Sequence, residues 1–154
     1  MDPGKIFGLM KGCWKVSRKI QEPQKNWVTG EGKARFEAIS NDPKVLLYKE
    51  ELQILTNSEK FDVSKEYVFR YLENKISVFF KEKPERFFYS LEFQQPSNEV
   101  KVITAQAEHL CIKDLYKAQY KFFDDNKFEL IYQVKGPKKN YLMTTIYDRI
   151  KEFK

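Results

Sequence analysis

The sequence predicts an all-β fold: a single antiparallel meander of about ten strands closed into a barrel, preceded by a short helical turn. Three observations carry that expectation. Apolar and polar residues alternate with period two along nearly the whole chain. Short polar connections separate the alternating runs, at Glu73-Asn74, 82–85, Ile112-Lys113, 124–126 and 136–139. Successive hairpins keep the same residues on one face, and a long twisted sheet of that kind removes its edges by closing on itself.

The elements follow in order. A helical turn is expected within 5–11. Strands are expected at 12–21, 31–39, 44–55, 64–72, 75–81, 86–94, 100–111, 115–123, 127–135 and 140–150, with loops near 22–30, 56–63 and 94–99. The first strand puts Trp14, Val16, Arg18 and Ile20 inside and Lys15, Ser17 and Lys19 outside. The third puts Leu46, Tyr48, Glu50, Leu52 and Ile54 on its apolar face, so Glu50 goes in with them. Around Glu73-Asn74, Tyr71 pairs with Ile76, Phe69 with Val78 and Tyr67 with Phe80, while Glu66 meets Lys81 outside. Around Lys83-Pro84, Phe80 meets Phe87 and Val78 meets Tyr89. A tight turn at Ile112-Lys113 sets His109 opposite Tyr116, Ala107 opposite Ala118 and Ala105 opposite Tyr120. Glu108 and Lys117 pair on the wet face. Phe122 meets Phe128, which sends Phe128, Leu130, Tyr132 and Val134 inward. A four-residue turn then directs Tyr141, Met143, Thr145, Tyr147 and Arg149 inward, although Leu142, Ile146 and Ile150 compete for the core.

One outer-face row breaks the pattern. Val68, Phe79 and Phe88 align across three strands on the nominal wet side, which predicts a covered patch, either by the N-terminal segment or by a second subunit in a homodimer.

The 154 residues suffice for one domain spanning 1–154, and 42% hydrophobic content favours a packed globular protein over disorder. No apolar run approaches the roughly 20 residues of a membrane span, and the start lacks a signal-peptide layout. Two cysteines, Cys13 and Cys111, make no disulfide framework, so a cytoplasmic protein is expected. Cys111 shares the inward face with His109, where it reads as a small thiol or as half of a Cys–His pair. The net charge of +6 concentrates toward both ends. In a closed barrel those ends are neighbours, so Lys11, Lys15, Lys19, Lys138, Lys139 and Lys151 are expected to merge into one patch. That patch is either a solvated rim or an anion-binding surface. No nucleic-acid motif accompanies it, so nucleic acid is not an expected partner.

Gly12-Cys13-Trp14 opening the first strand, with Arg149 closing the last, resembles the calycin arrangement of lipocalins and fatty-acid-binding proteins. That resemblance implies a structural plug in which Arg149 stacks on Trp14. A closer resemblance covers nearly the whole chain. Gly12-x-Trp14-x-Val16-x-Arg18, Tyr48-x-Glu50, His109-Leu-Cys-x-x-Asp114-x-Tyr116-x-x-x-Tyr120 and Gly136-Pro-x-Lys139-x-Tyr141 are similar to the uncharacterised family "domain of unknown function 6314". Asn140 stands where that family often carries an acid. The resemblance implies a barrel with a polar cavity and supplies no activity.

The candidate interior holds Arg18, Glu50, His109, Tyr116, Tyr120, Tyr132 and Tyr141. A buried Arg and Glu must pair with each other or meet a ligand. Tyrosines offer apolar walls with a hydroxyl tip, and Phe69, Phe80 and Phe128 add to them. Such a cavity suits a small aromatic or anionic ligand anchored by Arg18. Three alternatives stay open. One is an internal hydrogen-bond network with no ligand. Another is lyase- or decarboxylase-like chemistry using His109 with Tyr116 or Glu50. The third is haem bound through His109, the sole histidine. No metal-spaced cluster, phosphate loop or nucleophile elbow is present in the sequence.

Overall fold

A computed structural model describes residues 2–39, 41–94 and 101–151. Helix α1 (Pro3–Met10) is followed by β1 (Gly12–Gln21), β2 (Val28–Ala38), β3 (Val45–Leu55), β4 (Lys60–Leu72), β5 (Lys75–Phe80) and β6 (Arg86–Ser90). Then come β7 (Glu92–Phe93), β8 (Ile103–Cys111), β9 (Asp114–Asp124), β10 (Lys127–Lys135) and β11 (Asn140–Arg149). They form one sheet in the order β6-β5-β4-β3-β2-β1-β11-β10-β9-β8-β7, an antiparallel meander that makes a nearly closed barrel.

Helix α1 forms where Asp2 accepts a hydrogen bond from the Gly4 amide at 2.9 Å and Pro3 pre-sets the first turn. Its Ile6, Phe7 and Met10 are buried against one end of the barrel. There Trp14 is fully buried and donates from Nε1 to the Met10 carbonyl at 2.9 Å. The Arg149 guanidinium lies 4.3 Å from the Trp14 ring centre. It donates to the carbonyls of Asp125 (2.9 Å), Lys11 (3.0 Å) and Leu9. Gly12, at φ +131°, takes a conformation that favours glycine, and a Cβ there would meet Arg149 Nη1 at 2.7 Å. The other end is the open mouth, ringed by the turns β1–β2, β3–β4, β5–β6, β8–β9 and β10–β11.

The expected registers around Glu73-Asn74, Ile112-Lys113 and 124–126 are the observed ones. Glu73 and Asn74 both have positive φ, 51° and 65°, the twist-matched hairpin turn. The inward set on β11 is Tyr141, Met143, Thr145, Tyr147 and Arg149, while Leu142 is outside. Two stretches expected as loops carry strand: β2 begins at Val28 and β4 at Lys60. The segment 95–99 and the expected strand start at 100 lie outside the described residues.

The expected sixth strand, 86–94, is one run that changes partner. Its first part pairs with β5, and the Leu91 amide donates to the Ile76 carbonyl at 2.8 Å. Beyond Leu91 it pairs with β8, and the Gln94 amide donates to the Thr104 carbonyl at 2.9 Å. Toward the mouth, a seam therefore separates β6 from β8. Phe88 and His109 fill it with ring centres 5.1 Å apart.

Around Lys83-Pro84 the expected Val78–Tyr89 pair is observed and the expected Phe80–Phe87 pair is not. A β-bulge between Val78 and Phe79 pairs Phe79, not Phe80, with Phe87. The extra residue flips the faces that follow it. Phe87 turns outward and is 51% exposed, and Phe88 turns inward and is 4% exposed. The outer row of Val68, Phe79 and Phe88 is thus not formed. Val68 and Phe79 pack with Val45 and Leu47. The Arg70 guanidinium lies 5.9 Å from the Phe79 ring centre, held by Glu85 at 2.6 Å. Phe87 takes the place of Phe88 in that row, its ring centre 5.6 Å from that of Phe79, so Val68 is buried while Phe87 stays exposed.

The basic patch is divided as well. β1 and β11 are neighbours, but Lys138 and Lys139 lie at the mouth whereas Lys11 and Lys151 lie at the plugged end. Among the described residues no helix is long and apolar enough to cross a membrane.

Candidate functional site

The polar interior has two tiers. The lower begins with Arg18 on β1, which reaches over β2 to Glu50 on β3. The inner face of β2 is built of Gly30, Gly32 and Ala34, and those small residues leave the room for it. The pair is bidentate, with Nη1 to Oε2 at 2.7 Å and Nη2 to Oε1 at 2.8 Å. Arg18 Nε donates to Thr145 Oγ1 at 2.9 Å. The Tyr48 hydroxyl donates to Glu50 Oε1 at 2.6 Å and lies 2.8 Å from the Tyr147 hydroxyl. Arg18 and Glu50 are 7% and 3% exposed. Burial pushes the Glu50 carboxyl up, but the Arg18 hydrogen bonds and charge and the Tyr48 hydroxyl outweigh it, so the carboxyl sits below its ordinary value. Burial likewise works against the Arg18 charge, and Glu50 more than reverses it.

Beside this pair is a tyrosine trio. The Tyr89 hydroxyl lies 2.5 Å from that of Tyr120 and 2.6 Å from that of Tyr132. Burial holds all three phenols well above their ordinary value. The space enclosed by the two networks is about 30 Å³, room for a water or two. Among the described residues no buried side-chain nitrogen or oxygen lacks a hydrogen-bond partner. Arg18, expected as an anion anchor, is committed to Glu50 and Thr145.

The upper tier lies at the mouth and holds His109, Tyr116 and Tyr141, all half-buried. The ring neighbours of His109 are Phe88 at 5.1 Å, Tyr116 at 6.2 Å and Phe80 at 6.3 Å. Glu50 makes its hydrogen bonds in the tier below, so of the two acid–base partners considered for His109 only Tyr116 adjoins it. Lys139 Nζ donates to the Tyr116 hydroxyl at 3.0 Å and lies 4.0 Å from Asp114 Oδ2. Gly136 lets Asp114 in close, since a Cβ there would fall 1.8 Å from Oδ1. Burial raises the Tyr141 phenol, which also feels Tyr116, Lys139 and Asp114. Two of the four segments that carry the family resemblance, 109–120 and 136–141, meet here.

Sequence reasoning missed Lys65 of this tier, and it paired Tyr67 with Phe80 on the inner face without counting it in the site. Both lie on the inner face of β4 and line the cavity. The signal was present: Lys65 has the same parity as Tyr67, Phe69 and Tyr71. Tyr67 packs on Phe88 at 6.0 Å and Phe80 at 5.9 Å, and burial pushes its phenol up to about 12. Lys65 is an exposed residue that borders the cavity and, among the described residues, has no ion pair or hydrogen bond. Burial pulls its ammonium below the ordinary lysine value against the pull of Glu50, and Arg18 and Lys139 add to the lowering. Arg86 caps the layer, its guanidinium 4.1 Å from the Phe80 ring centre. The mouth is thus an aromatic layer bordered by cations.

Residues 10–149 match the model of a family described as "Family of unknown function (DUF6314)". No curated protein matches the chain. Among solved structures, the fold is similar to that of an S-type phycobiliprotein lyase, CPES, from Guillardia theta. The two share 12% identity with a TM-score of 0.65, covering 99% of this chain and 95% of the other. It is also similar to Rv2717c from M. tuberculosis, at 11% identity and a TM-score of 0.67, covering 98% and 99%. At such identities the likeness is one of fold.

Proposed function

We propose, from the premise that this chain belongs to the DUF6314 family, that it binds a small ligand with a flat apolar body and an anionic group at the barrel mouth. The observation that carries this reading is Lys65, a cation turned inward over the aromatic layer with no partner of its own. An ammonium that lines a cavity without a counter-ion gains from an anion placed on it. Lys139 stands close enough to be felt by Lys65 and supplies a second cation. Tyr67, Phe80, His109 and Tyr116 offer ring faces and edges to a planar body. The ligand rests above the Arg18–Glu50 pair, because the space inside admits no more than a water or two. Arg18, Glu50, Tyr120 and Tyr132 form the floor that holds the mouth in shape. Cys13 and Cys111 form no disulfide, which suits a reducing, cytoplasmic setting.

Anilinonaphthalene sulfonate, a flat aromatic anion, is a suitable probe. Native protein should bind it with enhanced fluorescence, more weakly as salt rises. Lys65→Ala should weaken binding by about tenfold or more, the worth of one charge-assisted hydrogen bond, and Lys65→Arg should restore most of it. Lys117→Ala on the outer face should change nothing. Equal binding by the wild type and Lys65→Ala would reject the site. Native mass spectrometry of protein taken directly from cells then gives the mass of the natural ligand.

A further inference from the structure

The tip of the β8–β9 hairpin carries a residue that local structure disfavours twice over. Ile112 is 91% exposed and has φ +56°. A β-branched residue in that region is strained, and an exposed isoleucine gains nothing from burial. The corresponding position of the Glu73-Asn74 turn is Glu73, at φ 51°, a polar residue, and the asparagine, which tolerates that conformation best, follows it at φ 65°. Asparagine or glycine at 112 would relieve both costs, so the hairpin itself supplies no reason for an isoleucine. A contact outside the chain would supply one.

The surroundings identify what lies there. Leu110 is 67% exposed and Phe87, on the other side of the seam, 51%. Trp27 and Phe61 stand exposed at the same end of the barrel, at 48% and 44%. A projecting hairpin tip of this kind can enter a soft surface. Lys83, Lys113 and Lys138 are exposed in the turns around it and make no ion pair among the described residues. The nearby acids are largely engaged: Glu82 with Arg86, Glu85 with Arg70, and Asp114 beside Lys139. Apolar side chains projecting from a lysine-bearing rim complement an anionic bilayer, with carbons below the headgroups and ammoniums among them.

We propose that the mouth end docks on anionic membrane surfaces, with Ile112 and Leu110 inserted and Lys83, Lys113 and Lys138 at the headgroup level. Docking requires no ligand in the barrel and stands apart from the reading of Lys65.

Cosedimentation with vesicles tests it. The wild type should bind vesicles of equal parts phosphatidylcholine and phosphatidylserine, more weakly with added salt, and should not bind phosphatidylcholine alone. Ile112→Asn should lose about tenfold in binding while melting at an unchanged or higher temperature, which separates lost contact from lost fold. Lys113→Glu with Lys138→Glu should also lose binding, and Leu72→Asn at the plugged end should not. Equal binding by Ile112→Asn and the wild type would overturn the proposal. So would a wild type that sediments with neither vesicle, an outcome that leaves the tip to a protein partner.

Discussion

Glu50→Ala is expected to lower the free energy of unfolding by about 3–5 kcal/mol, the cost of leaving one member of a buried ion pair without its partner. The substitution strands the Arg18 guanidinium at 7% exposure and removes the acceptor of the Tyr48 hydroxyl. Urea denaturation of the variant measures the loss. Replacing both members, Arg18→Met with Glu50→Leu, should recover most of it, because no charge is then left in the interior. If Glu50→Ala cost under about 1 kcal/mol, as an exposed pair would, the lower tier would be open to water.

The pH profile follows from the same pair. The Glu50 carboxyl lies below its ordinary value of 4.5 in the folded protein, so the unfolded chain takes up that proton first. The stability it contributes is complete above that ordinary value and is lost as pH falls through the lower folded one. At the alkaline end the sign reverses. Tyr48, Tyr89, Tyr120, Tyr132 and Tyr147 hold their protons above the ordinary 10.0. Their contribution is present below that value and is lost as pH rises past it. Thermal melts from acid to alkali should show a plateau bounded on the acid side near 4.5 and on the alkaline side near 10. The Arg18→Met, Glu50→Leu protein should have a shallower acid slope, since Glu66 and Glu82 also sit below their ordinary value, and should keep the alkaline one.

Trp14→Ala is the second large effect, about 3–5 kcal/mol by the usual cost of emptying a buried aromatic site. Trp14 packs edge-to-face on Phe128 at 4.8 Å, under the Arg149 guanidinium, and its Nε1 ties the Met10 carbonyl to the barrel. Its loss should free α1 as well as soften the core. Guanidinium unfolding reports the stability, and faster proteolytic cleavage near Lys11 reports the detached helix. Trp14→Phe should restore much of the first and little of the second, because phenylalanine fills volume but donates no hydrogen bond.

Alternation is a strong signal where one face is wet and the other packed, which is why β1 and β10 are found at their predicted bounds and the 109/116 register is the predicted one. It fails where one residue is inserted. The bulge at Phe79 leaves no mark in composition, so Phe87 and Phe88 exchange faces unannounced. The strand start at Val28 was hidden because Gly30 and Gly32 leave the inner face of β2 without apolar side chains, whereas Phe61 and Val63 do continue the parity of Tyr67 and Phe69 back toward Lys60. The candidate site was legible residue by residue but not in its grouping. Arg18 and Glu50 read as interior because an apolar face brought them in. That they would satisfy each other depends on the small residues of β2 between them, a cross-strand fact. Lys65 escaped notice because a lysine beside Glu66 reads as one more solvated charge unless the parity of Tyr67 and Phe69 is carried back to it.

The change of partner at Leu91 has a mechanical consequence. Above that point β6 and β8 touch through Phe88 and His109 but share no ladder. Parting those two rings would widen the entrance without unzipping any pair of strands. The barrel thus carries its own line of least resistance, at the edge nearest the hairpin tip, and can admit something larger than its resting aperture while every backbone pairing stays intact.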